Sequence, residues 1–296
     1  MKSDTFVSIV MRSYNEAWAL KETLPALRRQ RHKNWELIVI DSGSTDGSVE
    51  LIRMFSPAAL IQIKSEDYIP GVVLNRGMEE AKSDIVLFLN ADATPQGDRW
   101  FEPLIEALEN PNVAAAFSRQ VPRPDCRAVF ANDYERCFGP NRESRDWDHF
   151  FSMVSSGLRR DAWERRGFRE DIQYAEDDEY TRWCLERGFE VRYCPESVAM
   201  HSHNYTAPQA YRRAVGDARA QAATSGSGKR FFSFPKTVAA GWLRDLRTDL
   251  SYCCQNRRLS ELPHAAAIRW NQRTGRLAGL REGWNERHLN NRKTKA

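Results

Sequence analysis

Four consecutive carboxylates, Glu176-Asp177-Asp178-Glu179, stand between Tyr174 and a helical stretch. Like charges so close raise one another's pKa, and a general base needs that tuning to accept a hydroxyl proton near neutral pH. The run equally suits the start of the helix behind it, where negative charge is favoured. Another acid, Asp92, follows the apolar run Ile85–Leu89 by way of Asn90 and Ala91. A carboxylate at the mouth of a buried strand is placed to hold a hard divalent cation together with substrate phosphates. Asp41 closes a similar run, Trp35–Ile40, and suits a hydrogen bond from a ligand N–H or a turn cap. His201 and His203 follow one more strand-like run, and a neutral imidazole there is either a metal ligand or a loop histidine satisfied by backbone. His201 comes first past the strand and is the better placed ligand.

No GxxxxGK[ST] cradle for phosphates occurs. A diphosphate would therefore be held through a cation, Mg²⁺ or Mn²⁺, bound to oxygen ligands. Tyr14 offers a flat face for a nucleobase, or packs on the next helix. Arg12 and Glu16 beside it suit ligand contacts or a surface ion pair, and Arg76 by itself suits a solvated helix face.

The elements that must position these residues alternate. Apolar, β-branched runs predict strands at Phe6–Met11, Trp35–Ile40, Leu60–Ile63, Ile85–Leu89 and Val113–Phe117. Helical spacing fills the intervals: Asn15–Gln30, with Pro25 expected to break or restart it, then Val49–Met54, Val72–Ala81 and Asp98–Leu108. Such alternation predicts a parallel sheet with right-handed crossovers, whose ligands bind beyond the carboxyl ends of the strands. Ser118–Trp163, rich in Pro, Arg and Asp, reads as an irregular loop that then returns to the sheet. The acids form a turn before the helix Asp178–Gly188, and two strands follow, Glu190–Tyr193 and Ser197–Met200. From about Tyr205 the pattern is helical and basic, with a flexible break at Ser225-Gly226-Ser227-Gly228.

Four motifs carry a resemblance. Arg12-Ser13-Tyr14-Asn15-Glu16, Asp41-Ser42-Gly43-Ser44-Thr45-Asp46-Gly47, Leu89-Asn90-Ala91-Asp92-Ala93 and Ala175-Glu176-Asp177-Asp178-Glu179 resemble, in order, the motifs of family 2 glycosyltransferases. The likeness runs from about residue 6 to about 205. Arg119-Gln120-Val121-Pro122-Arg123-Pro124-Asp125 and His201-Ser202-His203-Asn204-Tyr205 further resemble bacterial rhamnosyltransferase-like members. The resemblance implies an α/β fold of the GT-A type, a Rossmann-like, mostly parallel sheet flanked by helices. It implies an inverting transfer of sugar from a nucleotide-diphosphate sugar to a hydroxyl acceptor. Asp177 would be the base, with Glu176 orienting it or contacting the acceptor. Arg12, Tyr14, Glu16, Asp41, Arg76, Asn90 and Ala91 would meet the donor, and Asp92 and His201 the metal. Asn90 departs from the family's Asp-x-Asp: its carbonyl can meet ribose or metal but adds no charge.

Two domains are expected, residues 1–205 for donor and catalysis and 206–296 as a helical, basic C-terminal region. The chain has 296 residues and a net charge of +4, unevenly spread: from Lys229 onward 15 Lys and Arg face 5 Asp and Glu. That basic segment, with Trp242, Trp270 and Trp284, suits peripheral contact with the inner membrane leaflet and a glycan or lipid-linked acceptor there, or a helical cap packing on the domain. No nucleic-acid motif accompanies it. The beginning, MKSDTFVSIV, lacks signal-peptide layout, and Cys184 and Cys194 read as core thiols, so a cytoplasmic setting is expected. A nucleotidyltransferase on a similar fold would carry a Gly- and Lys-containing loop after the first strand, where Ser13-Tyr14-Asn15-Glu16 stands. A non-catalytic nucleotide-sugar-binding module is the other alternative.

Overall fold

The computed structural model describes residues 4–147, 149–224 and 235–293. The break expected at Ser225-Gly226-Ser227-Gly228 lies outside the described residues. In chain order the elements are β1 (Val7–Ser13), α1 (Ala17–Arg29), β2 (Trp35–Asp41), α2 (Ser48–Phe55), β3 (Ala59–Gln62), α3 (Pro70–Glu80) and β4 (Ile85–Asn90). There follow β5 (Thr94–Pro95), α4 (Phe101–Leu108), β6 (Val113–Val121), α5 (Ala128–Phe138), β7 (Ser155–Arg159) and α6 (Arg160–Arg165). The remainder is α7 (Glu176–Glu186), β8 (Glu190–Met200), α8 (Ala207–Thr224), α9 (Pro235–Gln255) and α10 (Leu262–Lys293).

The strands form one mixed, mostly parallel sheet in the order β3-β2-β1-β4-β7-β6-β8-β5. β1, β2, β3 and β4 run parallel, as do β6 and β8, while β7 lies antiparallel between β4 and β6. Strands buried on both faces read as unbroken apolar runs, which is how β1, β2 and β4 announce themselves. Val7, Ile9 and Met11 point into the main core with Leu20, Leu27, Trp100 and Phe101. Val10 points the other way, under α3. There Gly77 allows the close approach, since a Cβ on it would lie 2.4 Å from Val10. Register then does the functional work: Arg12 pairs with Asn90 on one side and Ser13 with Asp41 on the other. Three motif-bearing loops therefore leave the sheet at one level.

By contacts the chain divides into two compact units. One comprises residues 1–123, 137–172 and 176–201; the other comprises 124–136, 173–175 and 202–296. The second unit is helical. Gly275, Gly279 and Gly283 recur every fourth residue on α10. A Cβ on any of them would come within 2.5, 2.2 and 2.4 Å of the Tyr211, Val215 and Arg219 carbonyl oxygens of α8. Only glycine permits helix backbones this close. Trp242 donates its ring N–H to the Ala266 carbonyl at 2.9 Å and packs edge-on against Trp270, so these two indoles serve packing between α9 and α10. No helix among the described residues is long and apolar enough to cross a membrane.

Some expectations need correction. Pro25 does not break α1, which runs through it: Pro25 lies on the exposed side, where water can satisfy the carbonyl it leaves without a partner. The stretch 118–163 is not one irregular loop but contains most of β6's end, α5, β7 and the start of α6. The acids do not precede their helix; they are its first turn. The two C-terminal strands are a single β8, with a register jump between Cys194 and Val198 that accommodates Pro195 and Glu196.

Candidate active site

The first two motifs, separate in sequence, interlock. Asn15 adopts φ 55°, a left-handed conformation that asparagine tolerates better than most residues. Its side-chain oxygen accepts the Thr45 N–H at 2.8 Å, and the Ser44 hydroxyl oxygen accepts the Asn15 N–H at 2.8 Å. The Ser48 hydroxyl accepts from the Glu16 N–H at 2.9 Å and Asp46 from the Ala17 N–H at 2.9 Å. The first turn of α1 is thus capped by the loop after β2 rather than by its own preceding residue. Asp41 holds that loop: one carboxylate oxygen accepts the Gly43 and Ser44 N–H groups at 3.1 and 2.9 Å, the other the Ser44 hydroxyl at 2.6 Å. Asp41 is fully buried. These bonds satisfy the turn-cap reading of Asp41, and the neighbouring Ser42 lines the cleft.

That cleft has a volume of about 470 Å³. Arg12, Tyr14, Glu16 and Asn90 line it, joined by Ser42 and by Ser65 and Tyr68 from the segment before α3. Tyr14 is half exposed and free to offer its ring face. Arg12 is the hub. Its guanidinium donates to the Asn90 side-chain oxygen at 3.0 and 3.3 Å and reaches Tyr68 Oη and Glu176 Oε1, each at 3.4 Å. One side chain therefore ties the end of β4 to the first turn of α7. A neutral Asn90 also makes sense here, because Glu16, Asp92, Glu176 and Asp177 already supply negative charge around one arginine. Glu16 shows the strain of that crowding: burial, then repulsion from Asp92, pushes its carboxyl up to about 8.

Asp92 lies two residues past β4's end pair, buried, with one carboxylate oxygen 3.5 Å from His201 Nε2. His201 is oriented from behind. Gln120 Nε2 donates to the Ser152 hydroxyl at 2.8 Å, which turns the Gln120 carbonyl oxygen to His201 Nδ1 at 3.0 Å. Nδ1 then carries the proton and Nε2 presents its lone pair toward Asp92. A carboxylate oxygen and an imidazole lone pair converging this way fit a divalent cation such as Mg²⁺ or Mn²⁺. Cations of this class would be held by Asp92 and His201. His203, two residues on, belongs to the second unit.

The four acids sort into two kinds. Asp178 is bound by Arg182 at 2.8 Å, and Glu179 pairs with Arg166. Glu176 and Asp177 turn inward. Burial and the neighbouring Asp177 raise the Glu176 carboxyl to about 7, against the pull of Arg12. Burial also raises Asp177, opposed by N–H bonds from Met153 at 3.2 Å and Asp178 at 2.9 Å. Asp177 keeps part of its surface open, as a base that meets a substrate hydroxyl must. His149, nearly buried, contacts the Thr181 hydroxyl at 2.7 Å, and Thr181 donates to the Asp177 carbonyl at 2.6 Å, fixing the turn.

The structure thus gathers Arg12, Tyr14, Glu16, Asn90, Asp92, Glu176, Asp177 and His201. Ala91 is buried and shapes the turn with its backbone N–H bonded to the Arg12 carbonyl at 2.9 Å. Arg76 is exposed on α3 and is not among the cleft's lining residues. Ser42, Ser65, Tyr68 and Arg123 were missed by sequence reasoning. Ser42 and Arg123 carried a signal, the first as part of the second motif and the second within the stretch Arg119–Asp125.

Comparison with known proteins supplies the family. Residues 8–167 match the profile of Glycosyl transferase family 2, and the chain belongs to that family. The O-antigen chain rhamnosyltransferase RfbN of Salmonella typhimurium is 29% identical over 218 residues, covering 70% of this chain and 69% of its own. WbaN of Salmonella anatum, of the same description, is 28% identical over 220 residues with the same coverage. Among solved structures, the mannosyltransferase PcManGT of Pyrobaculum calidifontis, in complex with GDP-Man and Mn²⁺, superposes with a TM-score of 0.63 at 22% identity, over 95% of this chain and 87% of that one. S. aureus TarS 1–349 with UDP-GlcNAc gives 0.53 at 15% identity, over 93% and 91%. The chain is a glycosyltransferase of the GT-A fold, with homologues in O-antigen and polysaccharide synthesis.

Proposed function

We propose that the protein transfers a sugar from a nucleotide-diphosphate sugar to an acceptor hydroxyl with inversion at the anomeric carbon. The observation that carries this is the Arg12 bridge, which ties the Asn90–Asp92 turn and the Glu176–Asp177 turn to one cleft. Tyr14 and the Ser42 loop receive the nucleoside. Asp92 and His201 hold a divalent cation, which when bound neutralises charge on the leaving diphosphate. Arg12 keeps Glu176 beside Asp177 and lends positive charge to the cleft. Asp177 takes the proton of the acceptor hydroxyl as its oxygen attacks the face opposite the nucleotide. Burial keeps the base weakly hydrated and strong enough for that step. One base without a partner nucleophile fits a single displacement.

The names of RfbN and WbaN make rhamnose the first donor sugar to test, and a glycan, free or lipid-linked, the first acceptor. A cytoplasmic site of action with peripheral contact at the inner leaflet belongs to the same reading; flotation of the protein with anionic liposomes, lost at high salt, is its expected sign. The central test is Asp177→Asn. Donor affinity by calorimetry should stay within a few-fold, while transfer falls by about 10² or more. Undiminished transfer would remove Asp177 from the role of base.

A further inference from the structure

Arg123 stands just past β6, within the stretch Arg119–Asp125, and is almost wholly buried. Its guanidinium donates to the backbone carbonyl oxygen of Asp92 at 2.7 Å and lies 3.5 Å from the Thr94 hydroxyl. Its other terminal nitrogen meets Glu22 of α1 at 3.5 Å, and its plane lies 4.5 Å from the ring of Trp18, one turn earlier on the same helix. Thr94 is itself fixed to α1 through the Thr23 hydroxyl at 2.9 Å. A guanidinium has a rigid planar fork, so contacts on different edges and on its face constrain it in position and tilt.

We propose that Arg123 is a positioning residue for the cation site. By holding the Asp92 carbonyl it fixes the peptide from which the Asp92 carboxylate projects toward His201. Glu22 and Trp18 hold the guanidinium in turn. The turn bearing Asp92 is short, closed by the Ala93 N–H on the Asn90 carbonyl at 2.9 Å, so a shift of its peptide moves the carboxylate directly. The inference rests on the assignment of Asp92 and His201 to a cation.

Two substitutions separate positioning from mere support. Arg123→Gln and Glu22→Gln both remove the ion pair to α1, but only the first removes the charged donor from the Asp92 carbonyl. Binding of Mn²⁺ alone, read from the resonance of the free ion, should weaken ~10-fold or more in Arg123→Gln, as when a group orienting a metal ligand is lost. It should stay within about two-fold in Glu22→Gln and recover in part in Arg123→Lys. Circular dichroism checks that each variant is folded at the temperature used. Equal Mn²⁺ affinity in Arg123→Gln and wild type overturns the proposal, as does equal weakening in both variants. Absence of Mn²⁺ binding by the wild-type protein overturns the cation assignment itself, and Asp92→Asn serves as the reference for that outcome.

Discussion

Buried arginines meet buried carboxylates in both units, with opposite balance. In the second unit Arg269 forks onto both oxygens of Asp249 at 2.8 Å each and reaches Asp133 at 2.9 Å. Asn132 adds a bond to Asp249 at 2.8 Å, and Arg273 makes its own fork to Asp245, both contacts 2.6 Å. Short, bidentate and matched, these are charges arranged for structure. In the cleft Arg12 faces a neutral Asn90, a phenol and one oxygen of Glu176, with contacts of 3.0–3.4 Å. Around it Glu16 and Glu176 are raised to about 8 and about 7. The contrast teaches that Arg12 is a looser match for Glu176 than Arg269 is for Asp249, which leaves Glu16 and Glu176 able to take up protons. It also bears on the basic C-terminal segment, since several of its arginines already serve internal acids.

The sharpest way to break the comparison is to remove each arginine. Arg269→Gln leaves Asp249 buried without its counter-ion and should lower stability by about 3–5 kcal/mol in urea unfolding. Adding Asp249→Asn should return much of that loss, because a neutral pair needs no counter-ion. A loss below about 1 kcal/mol for the single change would show the fork to be ornamental. Arg12→Gln should be milder, about 1–2 kcal/mol at pH 8, since Glu176 can take up a proton instead. The sign of its pH dependence follows: below pH 6 Glu176 is already protonated, the ion pair is gone, and the cost of Arg12→Gln should shrink. Equal cost at pH 5.5 and pH 8 would remove the distinction between the two networks.

What could be read beforehand divides along the same line. The parallel half was legible because β1, β2 and β4 are apolar on both faces, and because motif-bearing loops sit where such strands end. Asp92 was legible for the same reason, standing behind Ile85–Leu89, whereas Asp177 stood out only by its run of acids, whose place in the first turn of α7 was not foreseen. Helix α5 was not. Val129, Phe130 and Ala131 bury themselves against Ala210, Ala265 and Ile268, residues too distant in sequence for local pattern to suggest. Arg123 was legible only as part of the stretch Arg119–Asp125; nothing in that pattern pointed to the Asp92 carbonyl it bonds. Asp41 shows what a motif alone does not tell, for its carboxylate also closes the Ser44 turn.

The finest distinction concerns pH. Asp177 serves as base only when ionised, and burial raises its pKa, so the rise of kcat/KM with pH should lie above that of an ordinary carboxylate. Beside it, Glu176 is raised to about 7, chiefly by burial and next by Asp177. Once charged it resists loss of the proton from Asp177. Glu176→Gln takes that charge away, so the acidic limb should move to lower pH, by about one unit or less, equivalent to ~1.4 kcal/mol at most. Stability should respond with the opposite slope to an ordinary salt bridge. The folded pKa of Glu176 exceeds its unfolded value of 4.5, so its contribution is complete below that value and is lost as pH climbs through about 7. The urea midpoint of the wild-type protein should therefore fall between pH 5 and 8 more steeply than that of Glu176→Gln. An acidic limb that stays in place, with parallel stability curves, would mean that Glu176 neither shares the titration of Asp177 nor belongs to the working half of the acid run.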